Sequence, residues 1–111
     1  MTLILSAKPI IMHEPEFHLN AQNQGAFVIK DNEKQLAEMV FDIADSNMTV
    51  YHTEVAPEAE GQGLAKKLLD AMVAYVRANN LRVIPLCPFV HLQFKRHPAE
   101  FEDIWNKADN G

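Results

Sequence analysis

Residues 63–80 carry apolar side chains at Leu64, Leu68, Leu69, Met72, Val73 and Val76. Steps of three and four put these on one side of an α-helix, and Asn79-Asn80 supplies a stop. A helix with a single apolar side has to lie against another layer, and its flanks offer strands. Residues 48–55, Met-Thr-Val-Tyr-His-Thr-Glu-Val, are mostly β-branched and aromatic and predict a strand. Residues 81–86 form a short apolar run bounded by the helix end and Pro85, which suits a buried strand. Pro88 then sits where the first turn of a second helix begins, with Phe89 and Leu92 on its apolar side. His97-Pro98 interrupts that helix, and residues 98–107 predict a last short one with Phe101, Ile104 and Trp105 inward.

The first half reads as strands. Glu16–Leu19 and residues 26–30 are two short ones, separated by the turn chemistry of Asn20-Ala21-Gln22-Asn23-Gln24-Gly25. Lys30-Asp31-Asn32-Glu33 is a second turn. Residues 34–44 read two ways: Leu36, Met39, Val40 and Ile43 fit a helical stripe, while Ala37, Met39, Phe41 and Ile43 fit one strand face. Residues 1–12 are apolar but broken by Pro9, as an edge strand or an extended arm would be.

The 111 residues predict one domain spanning 1–111, with ordinary globular proportions of 48% hydrophobic and 23% charged residues. Asp and Glu outnumber Lys and Arg by 15 to 10, a net charge of −5, so no general nucleic-acid affinity is expected. The single cysteine, Cys87, makes no internal disulfide and no cysteine zinc site, and no metal is expected. No apolar run is long enough to span a membrane. The first residues lack the basic start and the length of a signal peptide, so the expected location is cytoplasmic. A chain of this size with an open sheet edge would be a monomer or a homodimer.

The strand 48–55 and the helix 63–80 are joined by Glu60-Gly61-Gln62-Gly63-Leu64-Ala65-Lys66-Lys67. Glycines allow a tight turn and close approach of a ligand. A helix N-terminus presents unpaired N–H groups and a positive dipole end, and Lys66 and Lys67 add charge, so the loop reads as a phosphate or pyrophosphate cradle. A Walker loop needs a different glycine spacing, and a dinucleotide fingerprint needs a small residue where Lys66 stands. A third pattern, Gln/Arg-x-x-Gly-x-Gly/Ala, which binds the pyrophosphate of coenzyme A, is met at Gly63 and Ala65 and missed at Glu60. Glycines that only let the helix pack on the sheet explain the loop as well.

Three segments occur in order: His52-Thr53-Glu54-Val55, Gly61-Gln62-Gly63-Leu64-Ala65, and Val83-Ile84-Pro85-Leu86-Cys87-Pro88-Phe89-Val90. From about Phe17 to Pro98 the chain resembles the small single-domain GCN5-related N-acetyltransferase-like family, which has a His-Thr-x-Val strand and a Pro-x-Cys-x-Phe/Tyr-Val segment. The resemblance implies an α/β fold with a mostly antiparallel sheet, packed helices and two parallel strands, 48–55 and 82–86, that splay apart. It makes residues 34–44 a strand. It also implies that acetyl-CoA is the acetyl donor, with its pantetheine arm in the splay and its pyrophosphate on Gly61, Gln62, Gly63, Leu64, Ala65 and Lys66. The acceptor would be an amine on a small molecule or a peptide. A strand N–H near Val55 would hold the oxyanion of the tetrahedral intermediate. A carboxylate at Glu60 beside a pyrophosphate is unfavourable unless it points away.

Four residues are candidates for the chemistry. Cys87 falls at a helix start, where the dipole favours a thiolate able to accept an acyl group. The resemblance places it near the acetyl group, and a small buried hydrophobe is the alternative. His52 and Glu54 lie two apart on one strand, hence on one face, and either could take a proton from an attacking ammonium. A core histidine and a solvent-facing carboxylate are the plainer reading of each alone. His91 follows Cys87 by one helical turn and could serve as its base. Lys95 and Arg96 could touch a coenzyme phosphate or be an ordinary solvated pair. The expected activity is an acetyl-CoA-dependent N-acetyltransferase. The rival is a non-catalytic acyl-CoA-binding or regulatory module. A thiol redox sensor at Cys87 would lack a resolving cysteine.

Overall fold

The computed structural model describes residues 14–107. The edge strand or arm expected for residues 1–12 lies outside them. Strands β1 (Glu16–Leu19), β2 (Gln24–Asp31), β3 (Lys34–Ala44) and β4 (Asn47–Val55) form an antiparallel run in chain order. Helix α1 (Leu64–Ala78) then carries the chain to β5 (Arg82–Pro85), which lies beside β4 and parallel to it. Helix α2 (Pro88–Arg96) and a short α3 (Pro98–Phe101) follow. The sheet is therefore mixed, with four antiparallel strands and one parallel pair, as the resemblance implies.

Asn and Asp make the turns by tolerating positive φ. Asn23 and Asn32 have φ of 63° and 58°. Asn20 Oδ1 accepts the amides of Gln22 and Gln24 at 2.8 and 3.0 Å, closing the first turn. Between β3 and β4 the two-residue turn Asp45-Ser46 has φ of 52° and 65°, both positive, as a hairpin of type I′ requires.

Residues 34–44 resolve as strand β3. Ala37, Met39 and Phe41 point to the core at 3%, 0% and 1% exposure, while Val40, one of the four residues of the helical reading, faces the other way and is half-buried. Alternation won because β2 and β4 flank this segment on both sides, and the two ladders take up its backbone groups. The apolar stripe of α1 closes over this face. Leu64, Leu68, Leu69, Met72 and Val76 are buried together with Phe27, Ile29, Met39, Phe41, Met48 and Val50. At Gly25, opposite Phe41, a Cβ would lie 2.1 Å from the His18 carbonyl and 2.9 Å from the Phe41 ring, so no side chain fits. Phe17 stacks on Tyr75 at 4.3 Å and ties β1 to α1.

One expectation is corrected. The last helix does not run over residues 98–107 but stops at Phe101. The outer edge of β5 would otherwise have unpaired main chain, and residues 104–106 run along it instead. Val83 N–H donates to Ile104 O at 2.6 Å, and Asn106 N–H donates to Val83 O at 2.9 Å. Phe101, Ile104 and Trp105 are buried, as their spacing requires.

Candidate functional site

The parallel pair comes apart. Pairing of β4 with β5 runs from Asn47↔Arg82 to Val50↔Pro85, and the Cys87 amide adds one bond to Val50 O at 2.8 Å. There the chain turns into α2, because Pro88 has no N–H to continue a ladder and its fixed φ suits a first helical turn. Strand β4 runs on through residues 51–55 without a β5 partner. A strand edge with free N–H and C=O groups thus borders the opening, with Cys87 at its vertex.

Beyond the end of β4 stands the glycine loop. Gly61 and Gly63 have φ of 84° and 77°, and a Cβ on either would meet nothing within 4 Å. Backbone conformation demands glycine here, and the space in front of both is open. Gly63 is the N-cap of α1, and the first helical bond is Lys67 N–H to Gly63 O at 3.1 Å. The amides of Leu64, Ala65 and Lys66 therefore have no helix carbonyl to donate to, which leaves them for an anion. Leu64 anchors the turn by burying its side chain, while Gln62 is exposed and Ala65 half-buried. The Lys66 ammonium does not reach toward the loop. It is bound to Asp70 at 3.0 and 3.1 Å, one turn along α1. Lys67 is in no ion pair among the described residues.

Strand β4 carries a bulge that strict alternation does not foresee. Val40 pairs with His52 and Phe41 with Val50, so Tyr51 has no partner on β3. The extra residue exchanges faces. Met48 and Val50 point to the core before it; Thr53 and Val55, opposite Met39 and Ala37, do so after it. The Tyr51 side chain goes outward and its hydroxyl donates to Asp42 at 2.5 Å, a bond that raises the phenol above its ordinary titration range. Thr53 Oγ1 lies 3.3 Å from Cys87 Sγ. Cys87 is 1% exposed and sits at the N-cap of α2, as expected, but its sulfur makes no capping bond and turns to Thr53 instead.

The other candidates lie elsewhere. His52 and Glu54 do share one face, the outer one, and both are exposed. His91 sits in α2, where its amide donates to Cys87 O at 2.9 Å and its ring meets Trp105 edge-on at 6.0 Å. Neither imidazole nor the carboxylate has a hydrogen bond to the sulfur. Lys95 and Arg96 are exposed in the last turn of α2. Thr53 is the residue the sequence reading passed over; it stands between His52 and Glu54, but alternation from Val50 sends it outward. A cleft of about 340 Å³ is lined by Gln35, Ala37, Glu54, Val55 and Pro57 among others, on the β3 side of the end of β4. Neither Cys87 nor the glycines line it, but it shares Val55 with the freed end of β4 that borders the opening. Among the described residues no group of three or more His, Cys, Asp or Glu is placed to hold a metal ion, and no helix is long and apolar enough to cross a membrane.

The geometry agrees with what the chain is similar to. No curated protein matches it. A solved structure that does match is the solution structure of a "GCN5-like putative N-acetyltransferase" from Staphylococcus aureus, 32% identical, with a TM-score of 0.63. The match covers 86% of this chain and 91% of that one. The family described as GCN5-related N-acetyl-transferase matches residues 26–104, from β2 through the segment that covers β5. The chain belongs to the GCN5-related N-acetyltransferase family.

Proposed function

We propose that the protein binds acetyl-CoA and transfers its acetyl group to an amine. The observation that carries this reading is the parting of β4 from β5 at Cys87, with the glycine loop beyond the end of the freed strand. The pyrophosphate would rest on the loop 61–66, held by main-chain amides rather than by Lys66, whose ammonium is engaged by Asp70. The free edge of β4 would bond the amides of the pantetheine arm as an added strand does. A β4 amide near Val55 would stabilise the oxyanion formed when the amine adds to the thioester carbonyl. The new C–N bond forms, the C–S bond breaks, and coenzyme A leaves as its thiol. Cys87, buried behind Thr53, would back the acetyl end of the site, either as a wall or as a transient acyl acceptor. The net charge of −5 favours a cationic amine or basic peptide as acceptor.

One observation favours a second reading, a non-catalytic acyl-CoA-binding module. His52 and Glu54, the bases expected to take the proton, are on the face of the sheet away from Cys87. Two measurements decide. Native mass spectrometry of the purified protein with acetyl-CoA is expected to show a one-to-one complex, and its absence refutes both readings. Incubation with a panel of amines and basic peptides is expected to release free coenzyme thiol above hydrolysis. Tight binding without turnover across the panel selects the second reading.

A further inference from the structure

We propose that Thr53 is the positioning residue of the Cys87 thiol, a role that rests on the acetyl-transfer reading above. The main chain of Cys87 is held from both sides. Its N–H donates to Val50 O at 2.8 Å, and its carbonyl accepts the His91 amide at 2.9 Å. With the main chain fixed, the sulfur is steered by the rotation about its Cα–Cβ bond alone. A cysteine at an N-cap has the free amides of its own helix within reach, yet this sulfur leaves them unused. It points to Thr53 Oγ1 at 3.3 Å, and it does so while 1% exposed, where water gives it no alternative.

The bulge at Tyr51 is what puts a hydroxyl there. Without the extra residue, alternation from Met48 and Val50 would turn residue 52, a histidine, toward the core face and Thr53 outward. The structure thus keeps an imidazole away from the sulfur and presents a group that changes roles by rotating. A neutral thiol donates to Oγ1, and a thiolate accepts from the same hydroxyl. Thr53 itself is only half-buried and lies on the part of β4 that has no β5 partner, so it borders the opening while the thiol stands behind it. Whether the sulfur walls the site or accepts the acetyl group, this is the polar contact that directs it within its apolar packing.

The test follows alkylation of Cys87 by iodoacetamide on intact protein, without acetyl-CoA, in the wild type and in Thr53→Val, Thr53→Ser and Thr53→Ala. Valine keeps the shape and removes the hydroxyl; serine keeps the hydroxyl. Alkylation is expected to slow about tenfold in Thr53→Val, the worth of one hydrogen bond to a charged sulfur, and to return within about twofold in Thr53→Ser. Where valine prevents folding, as a thermal melt shows, alanine takes its place and Thr53→Ser becomes its reference, expected to react about tenfold faster, because those two differ by the hydroxyl alone. An equal or faster rate without the hydroxyl overturns the proposal, as does a Thr53→Ser rate as slow as valine's, which would assign the effect to the methyl group. Calorimetry of the wild type with acetyl-CoA is run alongside. No binding there overturns the role in acetyl transfer, while the alkylation ratio reports the Thr53–Cys87 contact by itself.

Discussion

Glu38 and Glu54 stand directly opposite each other on β3 and β4. Cross-strand neighbours on one face are close enough for like charges to destabilise a sheet, and neither carboxylate is in an ion pair among the described residues. Replacing one of them removes the repulsion and keeps the ladder. Glu38→Gln is expected to raise stability by a few tenths of a kcal/mol, and by less in high salt. Urea denaturation at two ionic strengths reads both effects. A loss of stability at low salt would show that the pair is not repulsive.

At Gly63 two costs can be separated. Its φ of 77° strains any β-carbon, while the space around it is open. Gly63→Val is therefore expected to lose about 1–2 kcal/mol of stability from backbone strain alone. If the loop holds the coenzyme pyrophosphate, the folded variant should also bind acetyl-CoA at least about tenfold more weakly, because the side chain occupies the ground the phosphate approaches. Calorimetry on the folded fraction separates the terms, and unchanged affinity removes the loop from the site.

Cys87→Ala is expected to lower turnover more than affinity. A covalent route requires a gain of one acetyl group on the intact protein with acetyl-CoA, lost in the variant together with turnover. A direct route leaves the variant within about tenfold, roughly 1.4 kcal/mol of barrier. Full activity in the variant makes the buried thiol a packing residue.

The pH dependence of stability should carry the mark of Asp103. Arg77 Nε and Nη2 bind its two oxygens at 3.0 and 3.1 Å, and Arg77 Nη2 also donates to Glu100 O at 2.8 Å, joining the end of α1 to the segment after α2. The guanidinium holds the Asp103 carboxyl below its ordinary range. A carboxyl lowered in the folded state adds stability above its unfolded value, near 3.9, and that stability is lost as pH falls through the lowered value. Both side chains are about half exposed, so screening limits the effect to about 1 kcal/mol or less. Asp103→Asn should cost a few tenths of a kcal/mol at neutral pH and nothing at about pH 2. A cost that persists in acid would assign it to packing. Arg77→Ala should cost more, because the Glu100 carbonyl also loses its donor.

Much of this was legible in the chain. The α1 stripe, the Pro88 helix start and the glycine loop are local signals with periods or spacings of their own, and each falls within a residue or two of its expected place. Residues 34–44 were not decidable locally, since Met39 and Ile43 serve either period; their neighbours in space decided. The Tyr51 bulge leaves no trace in composition, because its cause is a register with β3 that the order of residues does not display. Everything beyond it on β4, including which of His52 and Thr53 faces Cys87, inherits that silence. The end of the chain misled for a similar reason: Phe101, Ile104 and Trp105 have helical spacing, but β5 needed covering more than they needed a helix.

That covering has a bearing on how copies of the protein meet. A β-sheet is extended by whichever strand flank is left bare, and such flanks recruit other chains into ribbons and swapped dimers. Residues 104–106 occupy the flank of β5 with hydrogen bonds at Val83 on both its N–H and its carbonyl. The stretch thus acts as a selvedge that stops the weave on the outer side of β5, the flank away from β4. A chain ending at Asp103 would lose it together with the buried Ile104 and Trp105, and should be recovered as larger species whose size grows with concentration.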